Sequence, residues 1–218
     1  MLLTAAHVIG ALFPMTTDET AVVGYGDPLT GEHDTATAPL EAIRADIGEV
    51  ARSIPPDRSQ KCTIDAALAR VSSNRSLGNQ FNGHPVVGVR NIAEDLGTNV
   101  PVHMFGARSN MRSGVLNTAP VTERLQIGKS EHSIMYERAC YIESLDDRPF
   151  ADMGDSGSIV IDEDNYAVAM VVGLSSVNLG GPPRVLATPL APALDALEVA
   201  LYEGEGVVST PRVSPVSE

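Results

Sequence analysis

Ser156 lies in Gly154-Asp155-Ser156-Gly157-Ser158, directly ahead of the apolar run Ile159-Val160-Ile161. A tight turn before a buried strand wants such small residues for backbone reasons. A nucleophilic serine wants them too, because the oxyanion it generates needs backbone N–H groups that no side chain screens. A serine hydroxyl is a weak nucleophile at neutral pH and requires a base, most often histidine, itself oriented by a carboxylate. All five histidines, His7, His33, His84, His103 and His132, precede Ser156. That order excludes the hydrolases in which histidine follows serine, and Ser158 breaks the G-x-S-x-G elbow. No aspartate precedes His7, so an aspartate-first order fails for it. What survives is histidine, then aspartate, then serine. Asp155 is too close to Ser156 in the chain to act as its base, so it is expected to accept hydrogen bonds or pair with a cation. Asp65 begins an apolar stretch, where an unpaired buried carboxylate is costly, so a histidine or hydroxyl partner is expected.

These residues need a scaffold. Alternating or continuous apolar runs predict strands over 20–26, 62–71, 84–90, 100–107, 113–118, 137–144, 157–161, 167–176 and 184–190. Asn82-Gly83, Asp164-Asn165 and Gly180-Gly181-Pro182 are turn signals between them. Many short strands with few helices predict an all-β barrel or sandwich. From Pro39, the spacing of Leu40, Ile43, Ile47, Val50, Ala51 and Ile54 predicts a helix over 39–54, stopped by Pro55-Pro56. Leu190, Ala193, Leu194, Leu197 and Leu201 predict a second, C-terminal helix. The organisation expected is a first unit over 1–82, a second over 83–202, and a disordered tail over 203–218.

Composition narrows the partners. The chain has 218 residues, enough to bury a sizeable core, and 43% of them are hydrophobic, which excludes wholesale disorder. Its formal charge of −13 and the absence of any Lys/Arg cluster argue against nucleic acid and anionic membranes. Aromatics make up only 4%, too few for a stacking platform. No apolar run reaches the roughly 20 residues of a spanning helix, and the apolar N-terminal stretch lacks the basic lead of a signal peptide. Cys62 and Cys140 are the only cysteines. Isolated thiols favour a reducing, cytoplasmic setting, with a single disulfide in a secreted protein as the alternative. No histidine or cysteine spacing suggests a metal, and no cofactor is implied.

Three stretches in order, "LTAAHV" (3–8), "DAALARV" (65–71) and "GDSGS" (154–158), resemble the active-site motifs of the chymotrypsin-like (trypsin-like) serine peptidases of bacterial type. "FGARSNMRSGVL" (105–116) resembles the strand–turn–strand that opens their second barrel. "VVGLSS" (171–176) and "ATPLAPALDAL" (187–197) resemble their substrate-flanking strand and closing helix. The resemblance implies two six-stranded antiparallel β-barrels and a C-terminal α-helix. It implies His7 as general base, Asp65 as orienting carboxylate, Ser156 as nucleophile, and the N–H groups of Gly154 and Ser156 as oxyanion hole. The substrate would be a peptide or protein. Phe150 stands where the trypsin subfamily carries an acid for basic side chains, and Ser176, Val177 and Asn178 would wall the pocket, so small or apolar residues are expected at the cleaved position. Ser176 also aligns with the family serine that hydrogen-bonds the orienting aspartate. Part of the family's first barrel precedes the histidine, whereas His7 is near the first residue. The first barrel is therefore expected to be truncated, completed by a partner segment or left open. The same resemblance admits a catalytically inactive peptide-binding module, and an esterase on the same scaffold.

Overall fold

A computed structural model describes residues 2–6, 21–25, 44–56, 61–71, 80–81, 84–126, 133–176 and 182–201. In the first part of the chain lie β1 (Leu2–Thr4), β2 (Ala21–Tyr25), β3 (Arg44–Ile54), β4 (Lys61–Cys62), β5 (Ala66–Val71), β6 (Gln80–Phe81), β7 (His84–Pro85) and β8 (Gly88–Val89). A short 3-10 helix, Ile92–Glu94, follows. Then come β9 (Asn99–Gly106), β10 (Asn110–Gln126), β11 (Ser133–Ser144), β12 (Ile159–Asp162), β13 (Tyr166–Leu174), β14 (Val185–Pro189) and α1 (Leu190–Ala196).

The later strands form a closed antiparallel barrel in the order β10-β9-β12-β13-β14-β11, shut by pairing of β10 with β11. Alternation builds it: Val102, Met104 and Gly106 of β9 are buried while Phe105 points outward. β13 departs from alternation, with Ala167 to Val172 buried throughout. Val168, Ala169 and Val171 belong to the cluster that contains Met104, Leu116, Ile142 and Phe150. Ala167 and Met170 instead join Ala5, Ala66, Leu68, Leu190 and Leu194, a second cluster between the barrel and the first sheet. A strand covered on both faces reads as a continuous apolar run for this reason. The architecture is mostly β, as the sequence predicts.

The first part of the chain is a four-stranded antiparallel sheet in the order β1-β5-β3-β2. Here the helix expected over 39–54 is corrected: its described part, Arg44–Ile54, is β3, paired with β2 on one side and β5 on the other. The register slips between Val22 and Val23 opposite β3, and again between Val50 and Arg52. Each bulge adds a residue to a period of two, so Ile47, Val50, Ala51 and Ile54 acquire the spacing of three and four that imitates a helix. Gly48 in the middle also weakens helix by about 1 kcal/mol relative to Ala.

α1 has seven residues and ends at Ala196, short of Leu201. So short a helix is unstable alone and survives here by burying Leu190, Ala193 and Leu194. Arg52 of β3 donates to the carbonyl of Leu197 at 2.7 Å and pairs with Glu198 at 2.9 Å. A cation is thereby placed on the orphan carbonyls of the helix end, tying the first sheet to the last element. No described helix is long and apolar enough to cross a membrane.

Candidate active site

The Asp152–Ser158 segment consists of two successive β-turns. Asp155 N–H donates to Asp152 O at 3.0 Å, and Ser158 N–H to Asp155 O at 2.9 Å. Each turn has glycine in its third position with positive φ, +106° at Gly154 and +90° at Gly157, the requirement of a type II turn. Ser156 thus stands at the second position of the second turn, half-buried. Gly157 N–H donates to Val171 O at 2.8 Å, which seats the loop on β13. The Ser156 hydroxyl donates to the Val172 carbonyl at 3.3 Å. Among the described residues, the N–H groups of Gly154 and Ser156 have no hydrogen-bond partner. Two unsatisfied donors flanking a serine can bind a developing oxyanion.

The turn is rigid because Asp155 holds it. Its carboxylate is completely buried. It accepts from Arg108 N–H at 2.7 Å, Asp152 N–H at 2.8 Å and the Ser109 hydroxyl at 2.6 Å. The β9–β10 turn is thereby fastened beneath the serine loop. Gly106 makes the room, since a Cβ there would come within 2.5 Å of Asp155 Oδ1. Of the two roles expected for Asp155, the structure has the hydrogen-bond acceptor. At Gly154 a Cβ would meet the Arg108 side chain at 2.8 Å; at Gly157 it would overlap the Thr4 hydroxyl and press on Ala5 N. The serine loop therefore rests directly against the end of β1.

Asp65 enters from the other sheet and is completely buried. β4 pairs in parallel with β11, setting Cys62 opposite Tyr136. The Cys62 thiol donates to Ile64 O at 2.8 Å, closing the turn that leads to Asp65. The Tyr136 hydroxyl then donates to Asp65 Oδ2 at 2.6 Å. Tyr136 belongs with Cys62, Leu125, Ile134 and Val172 to one buried cluster. Burial, followed by the Asp65 charge, drives the tyrosine pKa far above its ordinary value, so the phenol is a permanent donor.

The other expected site residues fall as follows. Phe150 is completely buried in the barrel core. The expectation that Ser176 hydrogen-bonds Asp65 is corrected: its hydroxyl and its N–H both donate to Glu123 Oε1, at 3.2 and 2.9 Å. Glu123, on β10, also accepts from the Ser175 hydroxyl at 2.9 Å and from Tyr141 at 2.8 Å. Glu123 on β10 is thus the acceptor for Ser176, while Tyr136 donates to Asp65 Oδ2. His7, Val177 and Asn178 lie outside the described residues. Tyr136 and Glu123 carry no local motif; the one sequence signal toward them is the demand of a buried Asp65 for a hydroxyl.

Among the described residues no three His, Cys, Asp or Glu side chains are arranged to hold a metal. An apolar cavity lined by Ile92, Ala93, Leu96, Pro120, Cys140 and Pro192 contains none of the site residues. Burial pushes the Cys140 thiol up to about 11, which leaves it protonated and unreactive at neutral pH.

Neither a family model nor a curated protein matches the chain. Solved structures do. A glutamic-acid-specific serine protease described as using a histidine triad in substrate binding aligns with 16% identity and a TM-score of 0.57, covering 92% of this chain and 85% of that one. Cellulomonas bogoriensis chymotrypsin aligns with 20% identity and a TM-score of 0.51, covering 71% of this chain and 75% of that one. At these identities the likeness is one of backbone architecture, and it agrees with the closed barrel and the terminal helix: the chain has the fold of the chymotrypsin-like serine proteases.

Proposed function

We propose that the protein is a serine-type peptidase working through an acyl-enzyme. Ser156 Oγ attacks the peptide carbonyl while His7 accepts its proton. The carbonyl oxygen takes the negative charge and is held by the N–H groups of Gly154 and Ser156. His7 returns the proton to the leaving amine as the C–N bond breaks, and water repeats the sequence to release the acid. Asp65 fixes the imidazole throughout. The observation that carries this reading is the convergence of two distant polar groups on one buried cluster. Ser156 bonds to the carbonyl of Val172, Asp65 bonds to Tyr136, and Val172 and Tyr136 belong to the same buried cluster. Support for His7 comes from the contact of Gly157 with Thr4 and Ala5. His7 follows Ala5 by a chain length of at most about 7 Å.

Incubation with a fluorophosphonate tests the proposal, because only an activated hydroxyl forms the adduct. Mass spectrometry is expected to find the label on Ser156 and peptide hydrolysis to be lost in parallel. An unlabelled protein that still binds peptides would leave the inactive module as the better account; labelling with turnover of esters alone would leave the esterase.

The side-chain preference follows from charge. Position 150 carries Phe rather than an acid, and Glu123, which binds Ser175 and Ser176, has both oxygens engaged by hydroxyl and amide donors. At these described positions a cationic side chain finds no acid that is not already engaged by donors. Peptides with Ala, Val, Leu or Phe at the cleaved residue are expected to give higher kcat/KM than matched Arg peptides, and an Arg preference would reverse this assignment.

A further inference from the structure

A buried aspartate that orients an imidazole has two tasks for its oxygens, since one must face the base and the other must be satisfied without it. Ser176 does not supply the second contact; its N–H and hydroxyl are both committed to Glu123. The Asp65 Oδ2 atom is met instead by Tyr136, at 2.6 Å, with both residues completely buried. This contact joins the two halves of the fold, because Asp65 precedes β5 of the first sheet and Tyr136 stands on β11 of the barrel. Its geometry is over-determined. The β4–β11 pairing fixes the backbone, and the ring lies in the buried cluster with Leu125, Ile134, Val172 and Leu186.

We propose that the Tyr136 hydroxyl is the positioning group that holds the Asp65 carboxylate in place for the base, in the stead of the Ser176 hydroxyl. The inference rests on Asp65 being the orienting carboxylate. Tyr136 touches neither substrate nor reacting atoms, and it acts only through Asp65. The ring is completely buried in a packed cluster, so its hydroxyl is held in place against the carboxylate. It also relates the catalytic geometry to the docking of barrel on sheet, because sliding β4 along β11 would separate the pair.

The test is a mutant cycle on the full chain, read as kcat and KM for a peptide and for an activated ester that keeps slow variants measurable. Tyr136→Phe preserves the ring and is expected to lower kcat roughly 10- to 100-fold with KM unchanged. Asp65→Asn is expected to lower kcat by about 10⁴. In that background Tyr136→Phe should cost no more than about two-fold, since a positioning group loses its effect when the group it positions is gone. Ile134→Val, in the same cluster and with no polar group to offer Asp65, serves as the packing control and should leave kcat near wild type. The inference is overturned if Tyr136→Phe leaves kcat intact, if its cost persists unchanged in the Asp65→Asn background, or if Ile134→Val reproduces it. Wild-type turnover in Asp65→Asn alone would instead remove the triad itself, and the role of Tyr136 with it.

Discussion

Ser156→Ala is expected to lower kcat for peptide hydrolysis by about 10⁶ while leaving fold and peptide binding in place. The reason lies in how little the hydroxyl does structurally. Its one hydrogen bond among the described residues is the 3.3 Å contact with Val172 O, long enough to contribute little. The two turns are made by backbone bonds and by glycines at positive φ, which alanine at 156 does not disturb. Stability is therefore expected to stay within about 1 kcal/mol of wild type, measured by urea denaturation. Residual catalysis of about 10³ over water would come from the oxyanion donors and from substrate positioning. Peptidase activity retained above about 1% in a preparation free of other proteases would exclude Ser156 as nucleophile, because no second group replaces a lost nucleophile at that level.

Much of this site can be read from the chain, and the readable part has a common physical cause. Glycines at 154 and 157 are demanded locally, by φ values that side chains resist. Barrel strands announce themselves because one face is buried and the other wet, as in β9. The same logic fails where structure depends on distant partners. The single runs expected over 62–71 and 84–90 are each broken, into β4 and β5 and into β7 and β8, because β4 and β8 are two-residue pieces that pair with β11 and β13. β3 looks helical because two bulges interrupt its alternation, and bulges are decided by the neighbouring strand.

Polar partners are harder still. The Tyr136–Asp65 bond spans 71 residues, and the bonds of Glu123 to Ser175 and Ser176 span 52 and 53. Nothing local to any of these residues singles it out, since a tyrosine or glutamate in a strand is ordinarily solvent-facing or amphipathic. Only the energetic rule that a buried carboxylate must be satisfied points toward them, and that rule names a chemistry without naming a position. The expected link from Ser176 to Asp65 came from resemblance; in this chain Ser176 bonds to Glu123 instead.

Asp155→Ala should be the most destabilising single change in the serine loop. The wild-type carboxylate is wholly buried and gathers three strong donors, Arg108 N–H, Asp152 N–H and the Ser109 hydroxyl, with Ser109 N–H more distant at 3.4 Å. Truncation strands those donors away from water in a space that Gly106 has already left open. Each unsatisfied donor costs about 1–3 kcal/mol, and because they share one acceptor the losses do not add fully, giving on the order of 3–5 kcal/mol. That is a large fraction of the roughly 5–15 kcal/mol by which a domain is stable, and it corresponds to a fall in melting temperature of about 10 °C. Asp155→Asn keeps the shape and one acceptor oxygen, so it should fall between. Activity should follow the loop rather than global stability. At temperatures where the alanine variant is still folded, fluorophosphonate labelling of Ser156 should already be slowed, because the turn that aims the Gly154 and Ser156 amides is anchored through position 155. A variant that melts and labels like wild type would show that the loop is held by its two backbone turns alone.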